Sequence, residues 1–76
     1  MNAFFKLDSI EPNRRLAFSS ESIEKMKSSI SINGQLDPIT IHQHNLSFRI
    51  IDGEKRWRAM KKLGRPVILA ELENDQ

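Results

Sequence analysis

A dense group of basic side chains follows a glycine at the predicted start of a helix. From position 55 to position 65 the basic residues are Lys55, Arg56, Arg58, Lys61, Lys62 and Arg65, with no acid among them. A helix N-terminus carries partial positive charge and unpaired N–H groups, so cations clustered there repel one another unless an anion binds. Gly53 lets such an anion approach the backbone closely. The pattern predicts a phosphate site, and the competing interpretation is a solvated helix face.

Arg56 differs from the other cations of this helix in its position around the helix axis. At about 100° per residue it falls near the middle of an apolar arc, which consists of Ala59, Met60 and Leu63. An arginine at the rim of a core must be paired, hydrogen-bonded or directed into a pocket. Two interpretations therefore stay open, an anion-binding residue or an internal salt bridge. The acids considered for such a bridge are Glu11, Asp37 and Asp52.

Two further segments could contribute to a binding site. Arg14 and Arg15 lie in a loop ahead of a predicted helix, where binding residues commonly occur, although solvated loop charges would give the same pattern. The segment 33–38 contains Gly34 and leads into a strand. It either lines a pocket or simply ends the preceding helix.

Aromatic and imidazole side chains are few. Trp57 lies beside the apolar arc and is interpreted as core, although stacking on a base is the alternative. His42 and His44 share one face of a predicted strand. Without cysteine and without a clear carboxylate partner, they do not predict a metal site.

Composition excludes several classes of protein. The chain has 76 residues and a net charge of +2, from 12 basic and 10 acidic residues. The absence of cysteine excludes disulfide scaffolds, thiolate zinc sites and cysteine-based catalysis. No apolar run approaches the roughly 20 residues that span a bilayer, and the N-terminus does not resemble a signal peptide. We therefore predict a cytoplasmic protein with no membrane partner, folded as one domain over residues 1–76 with a disordered tail at 73–76.

The periodicity of apolar residues indicates a small α+β domain. The predicted order is a strand at 3–7, a loop at 8–13, a helix from Ser19 or Ser20 to Asn33, strands at 38–43 and 47–52, a helix at 53–64 and a strand at 67–72. A serine cap begins the first helix, and Gly34 is placed for a left-handed cap at its end. The glycine and basic cluster therefore lie where a strand turns into a helix.

These residues resemble a known family. The segment IIDGEKRWRAMKKLG, at 50–64, is similar to the pattern I-x-GERRWRA-x-x-x-x-G of the ParB N-terminal domain, in the ParB/sulfiredoxin superfamily. The segment IEPNRR, at 10–15, resembles a shortened form of the family's I-x-PN-x-x-x-R. Residues 19–41 resemble its pattern E-x-I-x-x-L-x-x-SI-x-x-x-G-x-x-x-PI-x-V, so the match covers residues 5–72 in order.

The resemblance implies a short mixed sheet packed with two or three helices, and a domain that binds CTP with magnesium. ParB proteins act in chromosome and plasmid partition, and related members regulate transcription or nucleoid placement. By the family's motifs, the nucleotide-binding residues are Gly53, Glu54, Lys55, Arg56, Arg14, Arg15, Gly34 and Pro38. The implied partners are a nucleoside triphosphate, DNA reached through other domains or chains, and a second copy in a homodimer.

Three departures from the family pattern qualify this assignment. Lys55 replaces the first arginine of GERR, which keeps the charge but loses the bidentate fork. The later ENxQR motif, which helps to bind magnesium and triphosphate, is missing, and Glu73-Asn74 does not fill that role. No helix-turn-helix or dimerisation segment follows, which is expected of an excised N-terminal domain or a stand-alone member. The sulfiredoxin branch is excluded, since its activity needs a cysteine where Asp52-Gly53-Glu54 stands.

Three functions are therefore weighed. The first is a nucleotide-binding switch that acts with DNA partition or regulation machinery. The second is an enzyme, a nuclease, nucleotide hydrolase or phosphotransferase, in which Glu54 would be the catalytic general base or a metal carboxylate. The third is a module that holds the DNA backbone with its basic helix, marked by a steep salt dependence.

Overall fold

The computed structural model describes residues 2–73, which form one mixed five-stranded sheet and two α-helices. The strands are β1 (Asn2–Lys6), β2 (Ile10–Glu11), β3 (Ile39–His44), β4 (Ser47–Asp52) and β5 (Val67–Glu73). The helices are α1 (Ser20–Asn33) and α2 (Glu54–Lys62), and a short 3-10 turn spans Leu7–Ser9. The predicted α+β class is confirmed. The mixed sheet and helix number that the resemblance implied are confirmed as well.

The sheet order is β1-β5-β3-β4-β2. β3 and β4 form an antiparallel hairpin, β1 pairs antiparallel with β5, and the pairs β3–β5 and β2–β4 are parallel. Parallel neighbours need a crossover connection, and α2 lies in the chain between β4 and β5. The hairpin thus ends where α2 begins, which places Gly53 at a junction of strand and helix.

The core lies between one face of the sheet and the two helices. Ile39, Ile41 and Ile68 are fully buried on β3 and β5, whereas the alternate β3 residues are only half-buried. α1 contributes Ile30 to this cluster, and α2 contributes Ala59 among others. Burying these side chains is the main stabilising contribution to a domain of this size, so α2 is held firmly against the sheet.

Helix α1 is delimited by residues of the predicted types. The side chain of Ser19 accepts a hydrogen bond from Ser22 N–H at 3.1 Å, and so caps the N-terminus. At the other end Gly34 adopts φ +73°, and its N–H donates to the Ile30 carbonyl at 2.8 Å. The serine cap is confirmed. Gly34 ends the helix with a positive φ, as predicted, but its ψ of −175° differs from that of a left-handed helical residue.

The predicted loop at 8–13 was wrong in part. The 3-10 turn begins at Leu7, and Ile10–Glu11 forms β2 beside Phe48 and Arg49 of β4. A two-residue parallel pair leaves no periodic pattern, because its stability comes from a partner strand far along the sequence and from burial of Ile10. Of the predicted tail, Glu73 is the last residue of β5 and 74–76 lie outside the described residues.

Within residues 2–73, no helix has the length and apolar character needed to cross a membrane.

Gln35 joins the segment after α1 to the sheet. Its side-chain Nε2 donates to the Leu69 carbonyl at 2.8 Å, and its Oε1 accepts from Leu69 N–H at 2.8 Å. The same Nε2 also donates to the carbonyl of Asp37 at 2.9 Å. The amide thus makes the two hydrogen bonds to Leu69 that a neighbouring strand would make, one residue before the first pair between β3 and β5, Ile39 with Ala70.

We expect Gln35→Ala to lower the free energy of unfolding by about 1–2 kcal/mol, since it leaves two half-buried backbone groups of Leu69 without partners. Urea denaturation followed by circular dichroism measures the change. The matched control is Gln43→Ala, which removes an exposed amide from β3. Equal effects of the two substitutions would contradict the role assigned to Gln35.

Candidate functional site

The N-terminus of α2 opens into a cleft of about 360 Å³. One end of this cleft is polar and is formed by Gly53, Glu54, Lys55 and Arg56, with Asp52 beside them. The apolar residues that line the cleft are Leu16, Phe18, Met26, Ile50 and Ile51, and the Phe18 ring lies beside Lys55. The cleft therefore offers both a charged and an apolar surface to one ligand, as sites for small molecules commonly do.

Gly53 makes the turn from β4 into α2 in a conformation that only glycine adopts easily. Its φ is +104°, and a Cβ at this position would lie 2.5 Å from Ile39 Cγ2. The first helical hydrogen bond runs from Trp57 N–H to the Gly53 carbonyl at 3.1 Å. The N–H groups of the three preceding residues have no partner within the helix. These donors lie at the polar end of the cleft.

Glu54 is buried, with 5% of its surface exposed. Its Oε1 accepts from the backbone N–H of Asn13 at 2.9 Å, and its Oε2 accepts from Arg58 Nε at 3.0 Å. Arg58 also donates through Nη2 to the carbonyls of Asn13 at 2.9 Å and Leu16 at 2.7 Å. Both carboxylate oxygens are thus engaged with protein groups, an arrangement that favours a positioning role over that of a general base.

Arg56 lies half-buried between the cleft and an adjoining hollow of about 160 Å³ that Gly34 and Asp37 help to line. Its Nη1 makes one long hydrogen bond, 3.4 Å, to the Pro38 carbonyl. Gly34, Pro38 and Arg56 therefore lie near one another, the arrangement that the family resemblance implied; their part in binding stays a prediction.

The alternative of an internal salt bridge for Arg56 finds no partner in the part of the chain that the structure describes. The acid that could have reached it along β2, Glu11, lies 3.9 Å from Arg49 instead. Arg58 rather than Arg56 forms the ion pair of α2 with Glu54.

Lys55 completes the polar end. Its Nζ lies 5.6 Å from the centroid of the Phe18 ring, and the guanidinium of Arg58 lies 5.1 Å from the same centroid. Such cation–π contacts contribute about 0.5–1 kcal/mol at exposed sites. Lys55 and Arg56, unlike Arg58, have no carboxylate partner among residues 2–73, so their charge is available to an anion.

Arg14 and Arg15 do not join the other predicted residues in this cleft. Arg14 lines a second depression of about 540 Å³ with Trp57 and Lys61. Arg15 is exposed, and its backbone N–H donates to Asn13 Oδ1 at 3.0 Å. Neither arginine is among the residues that line the cleft at the first turn of α2.

Trp57 belongs to the core, as predicted. It is 7% exposed, and its Nε1 donates to the Leu7 carbonyl at 3.3 Å. The two histidine rings of β3 lie 6.5 Å apart. Among residues 2–73 no group of three or more His, Cys, Asp or Glu side chains could hold a metal ion.

The apolar lining of the cleft was not predicted from the sequence. Leu16 and Phe18 lie in a loop that was examined only for its arginines, and Asn13 was not singled out. The run of three apolar residues, Leu16, Ala17 and Phe18, directly after two arginines was the available signal, since the large ones need something to pack against. Arg58 was counted among the cations for a ligand, whereas its hydrogen bonds are to Glu54 and to the loop.

The chain resembles known proteins in sequence and in fold. It is 41% identical over 70 residues to the nucleoid occlusion protein of Geobacillus thermodenitrificans. The matched region covers 87% of this chain and 25% of that protein. The chain thus spans about a quarter of the length of the curated relatives it matches.

Two crystal structures share the fold. One is a C-terminally truncated chromosome-partitioning protein ParB from Caulobacter crescentus complexed with CTP-gamma-S, with a TM-score of 0.88 and 23% identity, covering 100% of this chain and 46% of that one. The other is sulfiredoxin from Arabidopsis thaliana, with a TM-score of 0.89 and 22% identity, covering 99% and 86%. At such identities they establish the fold alone.

The family itself is shown by the sequence. Residues 4–76 match the model of the ParB N-terminal domain, nearly the whole chain. The strand, glycine and basic helix of the cleft lie within that match, as do α1 and the segment that follows it. This chain belongs to the ParB N-terminal domain family.

Proposed function

We propose that this domain binds CTP, with the triphosphate at the N-terminus of α2. The observation that carries the proposal is the convergence, at one end of one cleft, of unpaired helix N–H groups with Lys55 and Arg56. Donors, dipole and cations together are favourable only around an anion. The ParB of the same fold that was crystallised with CTP-gamma-S supports the choice of ligand.

Each residue at the polar end has a distinct part in this proposal. Gly53 makes the sharp turn, with φ +104° and no room for a Cβ beside Ile39, that presents the N–H groups of the first helical turn to the phosphate oxygens. Arg56, held between the Pro38 carbonyl and the cleft, donates to the terminal phosphates. Lys55 adds a positive charge without the planar fork of an arginine.

Magnesium fits this site only as part of the ligand. Asp52 presents an exposed carboxylate at the cleft, whereas the carboxylate of Glu54 is already engaged. Mg²⁺ usually binds through one or two carboxylates, substrate phosphates and water. We therefore assign Mg²⁺ to the bound triphosphate, with the carboxylate of Asp52 as the protein group available to it. The ion would neutralise phosphate charge.

In the cell this domain would act as the nucleotide-responsive part of a DNA-partition or nucleoid occlusion system. The name of the Geobacillus relative and that of the Caulobacter ParB support this assignment. Because the chain spans about a quarter of such relatives, we assign DNA recognition to other segments or other chains. Pairing with a second copy of this domain stays a prediction.

A thermal-shift panel of the four ribonucleoside triphosphates, each with and without magnesium, tests the proposal. A ligand that binds the folded state stabilises it by RT ln(1 + c/Kd), where c is the free ligand concentration, so at equal concentration the tightest ligand raises the melting temperature most, and we expect that ligand to be CTP with magnesium. If CTP, ATP, GTP and UTP all leave melting unchanged, the proposal fails. A DNA interaction that weakens steeply with salt and ignores nucleotide would favour the DNA-backbone module instead.

We expect Arg56→Ala to lower the affinity for CTP by about 10- to 100-fold, the scale of one or two charge-assisted hydrogen bonds. The matched control is Arg65→Ala, which removes an exposed arginine just beyond the far end of α2. Titration calorimetry compares the two variants. A loss of the same size in both would show that only net charge matters and that Arg56 has no specific place in the site.

A further inference from the structure

The segment 13–18 forms the apolar side of the cleft without any helix or strand of its own. It connects β2 to α1, and its one internal backbone hydrogen bond runs from Leu16 N–H to the Asn13 carbonyl at 3.2 Å. Leu16 is 44% exposed, yet it lies at the cleft beside Phe18. Such a segment has to be held in place by other elements, because its own local structure is weak.

Two side chains of α2 hold it. In the described chain, every hydrogen bond from residues 13–18 to another element ends on Glu54 or Arg58. Glu54 takes the Asn13 N–H, while Arg58 reaches the carbonyls of Asn13 and Leu16 and places its guanidinium over the Phe18 ring. Glu54 and Arg58 also bind each other at 3.0 Å, one helical turn apart. We call this pair the latch.

Ile50 and Ile51, near the end of β4, line the same cleft as the latched segment. Ile51 is 50% exposed, so its apolar surface is accessible to a ligand. With Leu16 and Phe18 these residues give the cleft an apolar lining, and we call its Leu16 and Phe18 part the wall. A charged triphosphate gains nothing from contact with an apolar surface, whereas the flat face of a nucleobase and the carbon atoms of a ribose pack favourably against it.

We propose that the Glu54–Arg58 latch is a positioning device that sets Leu16 and Phe18 as the base-side wall of the nucleotide cleft. The inference rests on the proposed function, and it assigns Glu54 and Arg58 an indirect role through the segment 13–18. It predicts that the latch governs the part of the affinity that comes from the nucleoside and leaves the triphosphate part alone.

A charge-conserving substitution separates these two parts. Arg58→Lys keeps the positive charge near the cleft, but one ammonium group does not reproduce three hydrogen bonds made by a planar fork. We expect it to weaken CTP about tenfold, the scale of one lost base–aromatic contact, while inorganic tripolyphosphate changes less than about twofold. The matched control is Arg65→Lys, on the exposed arginine after α2, which should change neither.

The decisive experiment is a double-mutant cycle read by titration calorimetry with CTP and with tripolyphosphate. Its variants are Arg58→Lys, the wall variant L16A/F18A, and the two combined. If the latch acts through the wall, each weakens CTP about tenfold and the combination is no worse than either alone. If the losses multiply to about 100-fold, the latch acts independently and the proposal is overturned.

Two other outcomes are equally informative. Equal loss of CTP and tripolyphosphate in Arg58→Lys would mean that the latch merely supports the fold, and would overturn the inference while the proposed function stands. Failure of the unmodified protein to bind either compound would overturn both. Should Arg58→Lys not fold, as judged by its melting curve, the conservative variant Glu54→Asp takes its place in the cycle, since it shortens the latch by one methylene and keeps every charge.

Discussion

Replacing Gly53 with alanine is expected to destabilise the domain by about 3–5 kcal/mol, because strain and overlap act at the same atom. A φ of +104° is costly for any residue with a side chain, and the new Cβ would lie 2.5 Å from Ile39 Cγ2 and 2.8 Å from Ile39 Cβ. Ile39 is fully buried at the centre of the sheet and has no room to move. Since small domains are only marginally stable, much of this variant would be unfolded at room temperature.

The chain supplies matched controls for this substitution. Gly34 and Gly64 also have positive φ, +73° and +72°, but a Cβ at either would meet no heavy atom within 4 Å. Alanine at these positions tests the backbone strain alone, and we expect it to cost about 1 kcal/mol at Gly64 and about 1–3 kcal/mol at Gly34, whose ψ of −175° lies in a region essentially restricted to glycine. Urea denaturation of the three variants separates the two terms. A Gly53→Ala protein no less stable than the other two would show that β4 and α2 adjust to admit a side chain.

The substitution Glu54→Ala is expected to cost about 3 kcal/mol. It leaves the Asn13 N–H without an acceptor and takes away the only carboxylate that Arg58 contacts among the described residues. Glu54→Gln should lose less, about 1–2 kcal/mol, because its carbonyl still accepts one of the two hydrogen bonds while its amide group faces the other donor.

The surface ion pair between Glu11 and Arg49 is the control for Glu54. Both of these side chains are more than half exposed and their charged atoms lie 3.9 Å apart, so Glu11→Ala should change stability by less than about 1 kcal/mol. Chemical denaturation at low and at moderate salt makes the comparison, since salt screens the exposed pair more than the buried one. Similar small losses for Glu54→Ala and Glu11→Ala would mean that burial of Glu54 adds nothing to its ion pair.

Part of the cleft could be predicted from the sequence. The position of Gly53, Lys55 and Arg56 at a strand-to-helix junction was predicted, because the strand, the glycine and the basic cluster are consecutive in the sequence. The meeting of Gly34 and Pro38 with Arg56 was also expected, although through a family resemblance rather than from spacing. The separation of Arg14 from this group was not foreseen, since it depends on how the loop is anchored rather than on its composition.

The role of Glu54 could not be predicted from the sequence. Its position in the sequence made it a candidate base, but in the folded domain its carboxylate bonds a residue 41 positions away. Arg58 likewise contacts carbonyls 45 and 42 positions away. A local sequence pattern predicts only contacts within a turn or two of a helix. It indicates that Glu54 and Arg58 are four residues apart, but it does not predict that they bind the segment 13–18.

The amino-acid sequence by itself determined the α+β class, the bounds of both helices to within a residue or two, the caps at Ser19 and Gly34, and the placement of a cationic helix start after Gly53. These features depend on hydrogen bonds and periodicity among residues close in the chain. Only the tertiary structure decided that Glu54 is buried and that apolar residues of the loop 13–18 line the same cleft as the basic start of α2. Both come from packing between segments distant in sequence, where burial and partner geometry override local preference.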